Sequence, residues 1–95
     1  MEKTMTAAEQ HAGSVDSRIG VVGIIIEDNE KAEDVNKVLH NYASLIVGRI
    51  GIPYPQRGVC VISLIVDGTS DQISAMTGKL GKISGIQVKS ALTKA

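Results

Sequence analysis

Residues 1–17 show neither helical nor strand periodicity, and the first long apolar run begins at Arg18. This run, RIGVVGIIIE, is rich in β-branched residues and apolar on both faces, as expected of a strand inside a sheet. The sequence therefore predicts a flexible tail over residues 1–17 and one domain over residues 18–93, whose first strand starts at residue 18.

A first amphipathic helix is predicted over about residues 29–43. Asp28 and Asn29 are residue types that favour the N-cap position, and acidic side chains in the next turn suit the positive end of the helix dipole. Apolar residues recur at steps of three and four positions, which is typical of a helix with one buried face. They are Ala32, Val35, Val38, Leu39 and Tyr42.

The middle of the chain predicts two strands joined as a hairpin. LIVGRIGIP, after Ser44, predicts a second strand that Pro53 ends, and VCVISLIVD predicts a third strand from Val59 to Asp67. The segment between them contains two prolines and ends in Gly58, a composition that favours a connection over a strand.

The last third of the chain predicts a second helix and a fourth strand. Thr69 and Gln72 have the spacing of a capping box, and the stripe of Ile73, Met76 and Leu80 indicates the helix that follows. Gly81 is predicted to close its C-terminus. Residues 86–92 then alternate between apolar and more polar side chains, as in a strand with one wetter face.

The resulting order, β-α-β-β-α-β, predicts an α+β fold of the ferredoxin-like type, with a four-stranded antiparallel sheet and both helices on one face. The other sheet face also carries Ile, Val and Leu residues, which two helices on the opposite side cannot cover. Large exposed apolar patches usually mark an interface. Because closed homo-oligomers are the commonest solution, we expect a second copy as the partner, in a dimer or tetramer.

Composition and charge exclude several classes of protein. The chain of 95 residues is 43% hydrophobic but contains no Trp or Phe and has a formal net charge of zero, so we expect no direct binding of nucleic acid. Residues 1–48 carry a net charge of −4 and residues 49–95 a net charge of +4. A single cysteine, no signal-peptide pattern and no apolar run long enough for a bilayer predict a cytoplasmic protein without a membrane partner.

Catalytic chemistry is not indicated. The two histidines, His11 in the tail and His40 on the first helix, stand apart from Cys60, which lies in an apolar run and suits an inert buried thiol. No spacing resembles a metal site or a nucleotide-binding glycine loop, so we expect no metal, no cofactor and no enzyme activity. A small enzyme of the same fold is the least favoured alternative.

The segment from Gly48 to Gly58 is the strongest candidate for ligand or partner contacts. It contains Arg49, Tyr54 and Arg57 near the predicted hairpin. An arginine among apolar strand residues, as at Arg49, suits an ion pair across an interface or bidentate binding of a carboxylate or phosphate. The alternative is that these residues only build the loop.

Three consecutive motifs carry a resemblance to a known family: RIGVVGIIIED, VNKVLHNYASLIVGRIGIPY and RGVCVISLIVDGTSDQISAMTGKLGKISGIQVKSAL. Together they resemble small proteins described as regulators of the iron-only hydrogenase system. The resemblance implies an ACT-like domain, similar to the C-terminal domain of nickel-responsive repressors. Those domains bind nickel through strand histidines and a cysteine, whereas the strands here hold Cys60 and no histidine, so nickel sensing is not expected. The DNA-binding half of those repressors is not expected either, because only about 17 residues precede the first strand.

The same resemblance implies an effector site near the turn after the first strand, at Glu27, Asp28 and Asn29, with Arg49 contributing from the hairpin. Two functional hypotheses follow. In the first, the protein is a non-enzymatic regulatory module that binds a small ligand as a homo-oligomer. In the second, it is an adaptor or structural protein that docks a partner protein through its exposed sheet face.

Overall fold

The structure, a computed structural model, describes residues 17–93, which form four strands, two α-helices and three 3-10 turns. The strands are β1 (Ser17–Ile26), β2 (Ile46–Tyr54), β3 (Val59–Thr69) and β4 (Ile86–Leu92), and the helices are α1 (Ala32–Asn41) and α2 (Ser70–Gly81). The 3-10 turns are Asn29–Lys31, Ala43–Leu45 and Pro55–Arg57. The predicted tail lies outside the described residues except for Ser17, which already belongs to β1.

The strands form one antiparallel sheet in the order β2-β3-β1-β4, which confirms the predicted ferredoxin-like topology. β1 is an inner strand, hydrogen-bonded to β3 on one side and to β4 on the other. One face of β1 is buried, at Val22, Ile24 and Ile26, whereas its other apolar face is exposed. β2 and β3 form the predicted hairpin, which turns through Pro55–Arg57 and through Gly58 at a φ of 67°.

The core lies between one face of the sheet and the two helices. Its members are aliphatic side chains and one methionine, as the scarcity of aromatic residues requires. β1 and β3 contribute alternate residues, and the predicted stripes of both helices pack against them. The buried residues of this core are Val22, Ile24, Ile26, Val35, Leu39, Ile62, Leu64, Val66, Ile73, Met76 and Leu80.

The predicted first helix is shorter than expected, because its first turn is a 3-10 turn and Tyr42 follows its last residue. Asp28 is the N-cap of that turn, and its carboxylate accepts a hydrogen bond from the backbone N–H of Glu30 at 3.0 Å. The backbone of this region is also tied to the loop before β4, since Glu27 N–H donates to the carbonyl oxygen of Gly85 at 2.8 Å.

One boundary prediction is wrong, and another is right about the last residue of the helix but not about its conformation. Pro53 does not end the second strand, because β2 lies at the sheet edge and Pro53 pairs there with Cys60 without needing an outward N–H. Gly81 is the last residue of α2 but does not adopt a left-handed conformation, and Lys82 caps the helix in a right-handed one. The left-handed glycine of this connection is Gly85, at a φ of 80°.

The predicted capping box of α2 is present in full. The Thr69 hydroxyl accepts a hydrogen bond from Gln72 N–H at 3.1 Å, and the Gln72 side chain accepts one from Thr69 N–H at 2.9 Å. The backbone N–H groups of Thr69 and Gln72, which have no partner within the helix, are thereby both hydrogen-bonded.

A bulge in β2 decides which way its side chains point. Ile46 pairs with Val66, but Gly48 pairs with Ile65, so one extra residue lies between them on β2. Because side chains alternate between faces, an extra residue reverses the facing of everything after it. Arg49 consequently pairs with the buried Leu64 and lies on the helix side of the sheet.

Candidate functional site

The sheet face opposite the helices is apolar and exposed across three neighbouring strands, and we call it the open face. The register places Ile25 beside Val61 and Val61 beside Ile52, so these side chains form a continuous row. Its large side chains are between 37% and 63% exposed. The open face contains Ile19, Val21, Ile25, Ile50, Ile52, Tyr54, Val61 and Ile65.

The centre of the open face is a shallow depression, because its side chains are smaller than those around it. Gly23 pairs with Ser63, and both lie between the rows formed by the larger residues Val21, Ile25 and Ile65. A Cβ atom on Gly23 would meet only the carbonyl oxygen of Lys89, at 3.9 Å. The open face is therefore a contoured apolar surface, with β4 contributing its more polar border at Gln87 and Lys89.

One end of the open face holds a cavity of about 330 Å³, which we call the rim pocket. Such a volume is at the lower limit of typical small-molecule sites. Ile25 and Val59 supply apolar surface, while Tyr54 and the 3-10 turn that follows β2 bring in a hydroxyl and a guanidinium. The rim pocket is lined by Ile25, Glu27, Tyr54, Arg57, Val59 and Gln87.

The polar groups of the rim pocket come from segments far apart in the sequence. The amide nitrogen of Gln87 donates a hydrogen bond to the Glu27 carboxylate at 3.0 Å, which joins the end of β1 to β4. Arg57 contributes a positive charge to the lining, and Tyr54 is about half-exposed, at 47%. A carboxylate, a guanidinium, a phenol and an amide around apolar walls can bind a small molecule that has polar groups at its ends and an apolar body.

Of the six residues predicted to contact a ligand, the structure brings Glu27, Tyr54 and Arg57 together in the rim pocket. Sequence reasoning missed Gln87. The alternation in β4 shows that Gln87 faces away from the core, but it does not show that β1 is the neighbouring strand. The pairing of Ile25 with Gln87 is what places the amide there.

Asp28 and Asn29 do not line the rim pocket. Asp28 is half-buried, and its carboxylate is used to cap the 3-10 turn. Asn29 is exposed in that turn. In the structure, therefore, these two residues of the predicted effector site build the connection between β1 and α1.

Arg49 lies on the opposite side of the sheet from the rim pocket. One guanidinium nitrogen of Arg49 donates a hydrogen bond to the side-chain oxygen of Asn36 on α1 at 2.6 Å. The two residues also line a separate cavity of about 420 Å³, together with Leu39, His40, Ala43 and Ile46. The geometry therefore separates Arg49 from Tyr54 and Arg57, its neighbours in the predicted site.

Within residues 17–93, no three His, Cys, Asp or Glu side chains lie close enough together to hold a metal ion. Cys60 is a free, half-buried thiol on β3 that packs against the core. None of the helices in the described part of the chain is long and apolar enough to cross a membrane.

The fold and the open face together define a class: an α+β protein with a ferredoxin-like sheet, covered by helices on one face and exposed and apolar on the other. Residues 18–90 match the family model described as "TM1266-like: Iron-only hydrogenase system regulator, putative". The chain belongs to this family. No curated protein matches the sequence significantly.

Solved structures agree with this assignment. An uncharacterized protein, TM1266, from Thermotoga maritima is 39% identical, with a TM-score of 0.77 over 82% of this chain and 99% of that one. An unknown protein from Galdieria sulphuraria is 15% identical, with a TM-score of 0.57 over 83% of this chain and 46% of that one. The de novo designed protein Foldit4 is 10% identical, with a TM-score of 0.52 over 83% of this chain and 98% of that one. The last two show the fold alone.

Proposed function

We propose that this protein is a non-enzymatic regulatory module of the iron-only hydrogenase system, which pairs with a second copy through the open face and binds a small ligand in the rim pocket. The family to which the chain belongs supports the regulatory role. The single cysteine of the sequence supports a reducing compartment, and we place the protein in the cytoplasm.

The exposed apolar side chains of the open face are the observation that carries the proposed pairing. Eight large apolar residues on three adjacent strands exceed the scattered single residues that monomers commonly expose. Interfaces between identical subunits are more apolar than interfaces of transient complexes, and the open face has this character. The residues that would meet in such a pair include Val21, Ile50 and Ile65.

The proposed ligand site follows from where the rim pocket lies. Ile25 and Tyr54 belong both to the open face and to the rim pocket, so a second copy on that face would border the pocket. Glu27 and Arg57 offer opposite charges to a ligand in that space. Because ligand binding and pairing would then use neighbouring surfaces, each would alter the strength of the other by thermodynamic linkage.

Sedimentation velocity at several protein concentrations tests the pairing. We expect the wild-type protein to sediment as a dimer or larger species and the Ile65→Lys variant as a monomer, because a charge on the open face would be desolvated in the interface. The matched control is Ala75→Lys, on the exposed surface of α2, which should leave the mass unchanged. A wild-type protein that stays monomeric at every concentration would overturn the proposed pairing.

A thermal-shift screen against amino acids, nucleotides and divalent metals tests the ligand site, since a ligand specific for the folded state raises the midpoint temperature. A stabilising compound should lose its effect in Arg57→Gln and in Glu27→Gln. Arg49→Gln is the matched control, because it makes the same change on the other side of the sheet. Equal stabilisation of all three variants would place the ligand elsewhere.

The second candidate function, an adaptor that docks a different protein through its exposed sheet face, is favoured by the same apolar surface. It predicts a monomer with a blank ligand screen. In that case the Ile65→Lys substitution would abolish binding of the partner protein, whereas under the first proposal it abolishes pairing with a second copy.

A further inference from the structure

The two edge strands of the sheet differ in how they discourage the addition of another strand. β2 carries the bulge between Ile46 and Gly48 and also Pro53, and both features are known to blunt an edge. β4 has neither: Ile86–Leu92 pair with β1 in an unbroken register and contain no proline. Within residues 17–93, no strand pairs with the outer side of β4, so this is the edge where the sheet can be extended.

A groove runs beside this edge, with a cavity of about 530 Å³ between β4 and α2, and we call it the β4 groove. Its β4 wall is formed by residues 86–90, and its α2 wall is formed by Ser74, Thr77, Gly78 and Gly81. An added Cβ on Gly78 or on Gly81 would meet no atom within 4 Å. Neither glycine has a positive φ.

These two glycines are therefore not required by packing or by backbone conformation within this chain. Glycine weakens a helix relative to alanine, so two glycines in the last turn and a half of α2 have a cost in stability. What they do in the structure is keep the β4 groove open along the edge strand.

The segment that forms the β4 groove, residues 74–90, contains basic but no acidic residues. From Gln72 to Thr93 the sequence contains Lys79, Lys82 and Lys89 but no Asp or Glu. Lys89 belongs to the β4 wall of the groove and Lys82 directly follows Gly81, whereas Lys79 lies over the ring of Tyr42, the residue that follows α1. The Glu27 carboxylate lies near the N-terminal end of β4, where it already accepts a hydrogen bond from the Gln87 amide.

We propose that the β4 groove binds an extended acidic segment of a partner protein, which adds to β4 as a fifth strand. The backbone of the segment pairs with the outer edge of β4, and alternate side chains enter the groove where α2 offers only small residues. The other side chains of the segment, which are acidic, point away from α2 and lie on the side of β4 where Lys89 pairs with Gly23. Pairing of β4 with β4 of a second copy is disfavoured, because it brings like charges together.

A synthetic peptide of seven alternating glutamate and valine residues, with both ends capped, is the probe. Titrated into ¹⁵N-labelled protein, it should give saturable shifts of amide signals along residues 86–92 and 74–81. Two altered peptides should bind about tenfold more weakly or worse. One carries N-methyl groups on alternate residues, which removes strand hydrogen bonds, and the other has lysine in place of glutamate.

Two variants of α2 separate the groove from general effects. Gly78→Leu fills the β4 groove and should weaken peptide binding about tenfold or more, with a midpoint temperature no lower than that of the wild type. Ala75→Leu makes a larger side chain on the exposed surface of the same helix, outside the groove, and should stay within about twofold of wild-type affinity. Ile65→Lys, on the open face, should also bind normally, so this test is independent of the proposed pairing.

The absence of saturable shifts, equal binding by Gly78→Leu, or equal binding of the N-methylated peptide would each overturn the proposal. Signals of β4 that change with protein concentration in Ile65→Lys, without peptide, would show that a second copy occupies the groove and would also overturn it.

Discussion

A Cβ atom placed on Gly85 would lie 2.7 Å from the Cβ atom of Asp28, so the loop before β4 passes directly against the turn after β1. Gly85 also has a φ of 80° and accepts hydrogen bonds from the backbone N–H groups of Glu27 and Asp28 at 2.8 and 3.2 Å. This contact holds together the segment that carries Glu27 and the strand that carries Gln87, the two hydrogen-bonded residues of the rim pocket.

We therefore expect Gly85→Ala to lower the free energy of unfolding by about 2–3 kcal/mol, because it adds both a left-handed alanine and a clash. Gly58→Ala is the matched control: its φ is 67°, but an added Cβ meets nothing within 4 Å. It should lose only about 1 kcal/mol, from backbone strain alone. Urea denaturation measures both, and equal losses would contradict the role of the Asp28 contact.

Leu64 and Ile65 are adjacent on β3 but lie on opposite faces of the sheet, with exposed fractions of 0% and 48%. Leu64→Ala should lower the free energy of unfolding by about 3–4 kcal/mol, because it leaves a cavity in the core. Ile65→Ala should change it by no more than about 0.5 kcal/mol in dilute solution.

At higher protein concentration, the proposed pairing predicts that Ile65→Ala also weakens association. Chemical denaturation at two protein concentrations separates the two effects. A loss for Ile65→Ala as large as that for Leu64→Ala, independent of concentration, would mean that the open face is covered within a single chain.

The capping box of α2 gives a third prediction. Thr69→Ala removes the hydroxyl that accepts the hydrogen bond from Gln72 N–H, and it should lower the free energy of unfolding by about 1 kcal/mol. Thr69→Ser keeps a hydroxyl at the same position and should lose less than half as much. If both variants lose the same amount in thermal denaturation, the methyl group of Thr69, and not the cap, stabilises the helix.

The hydrogen bond between Arg49 and Asn36 gives a fourth prediction, measured by a double-mutant cycle with alanine at each position. Because both residues are exposed, we expect a coupling free energy of about 0.5–1 kcal/mol. The control cycle combines alanine substitutions at Arg57, which lies in the rim pocket, and at Asn36. The coupling free energy between these two residues should be within about 0.3 kcal/mol of zero. A coupling of zero for Arg49 as well would mean that the hydrogen bond contributes nothing to folding.

Local signals in the sequence were sufficient to predict the elements of the fold. The capping box at Thr69 and the stripe of Ile73, Met76 and Leu80 placed α2 correctly, because capping and amphipathic periodicity depend on residues within a few positions of one another. The error at Pro53 came from a property that is not local. Proline ends an inner strand but is tolerated in an edge strand, and the strand order that puts β2 at the edge is set by the whole sheet.

The candidate site was predicted only in part for a related reason. The family resemblance implied Glu27, and the composition of the segment from Gly48 to Gly58 indicated Tyr54 and Arg57; the three residues meet in the rim pocket. Gln87 was missed because it lies 60 residues from its hydrogen-bond partner, Glu27. Nothing in β4 itself indicates which strand it will pair with.

By itself, the sequence determined the class of fold, the order of its elements and the excess of apolar strand residues over what two helices can cover, since these depend on composition and short-range periodicity. Only the tertiary structure decided where Arg49 lies. Strict alternation from Ile46 would put Arg49 on the open face, but the one-residue bulge before Gly48 turns it to the helix side, where it binds Asn36. A bulge forms between two paired strands, and so its effect on facing depends on the partner strand as well as on the residues of β2.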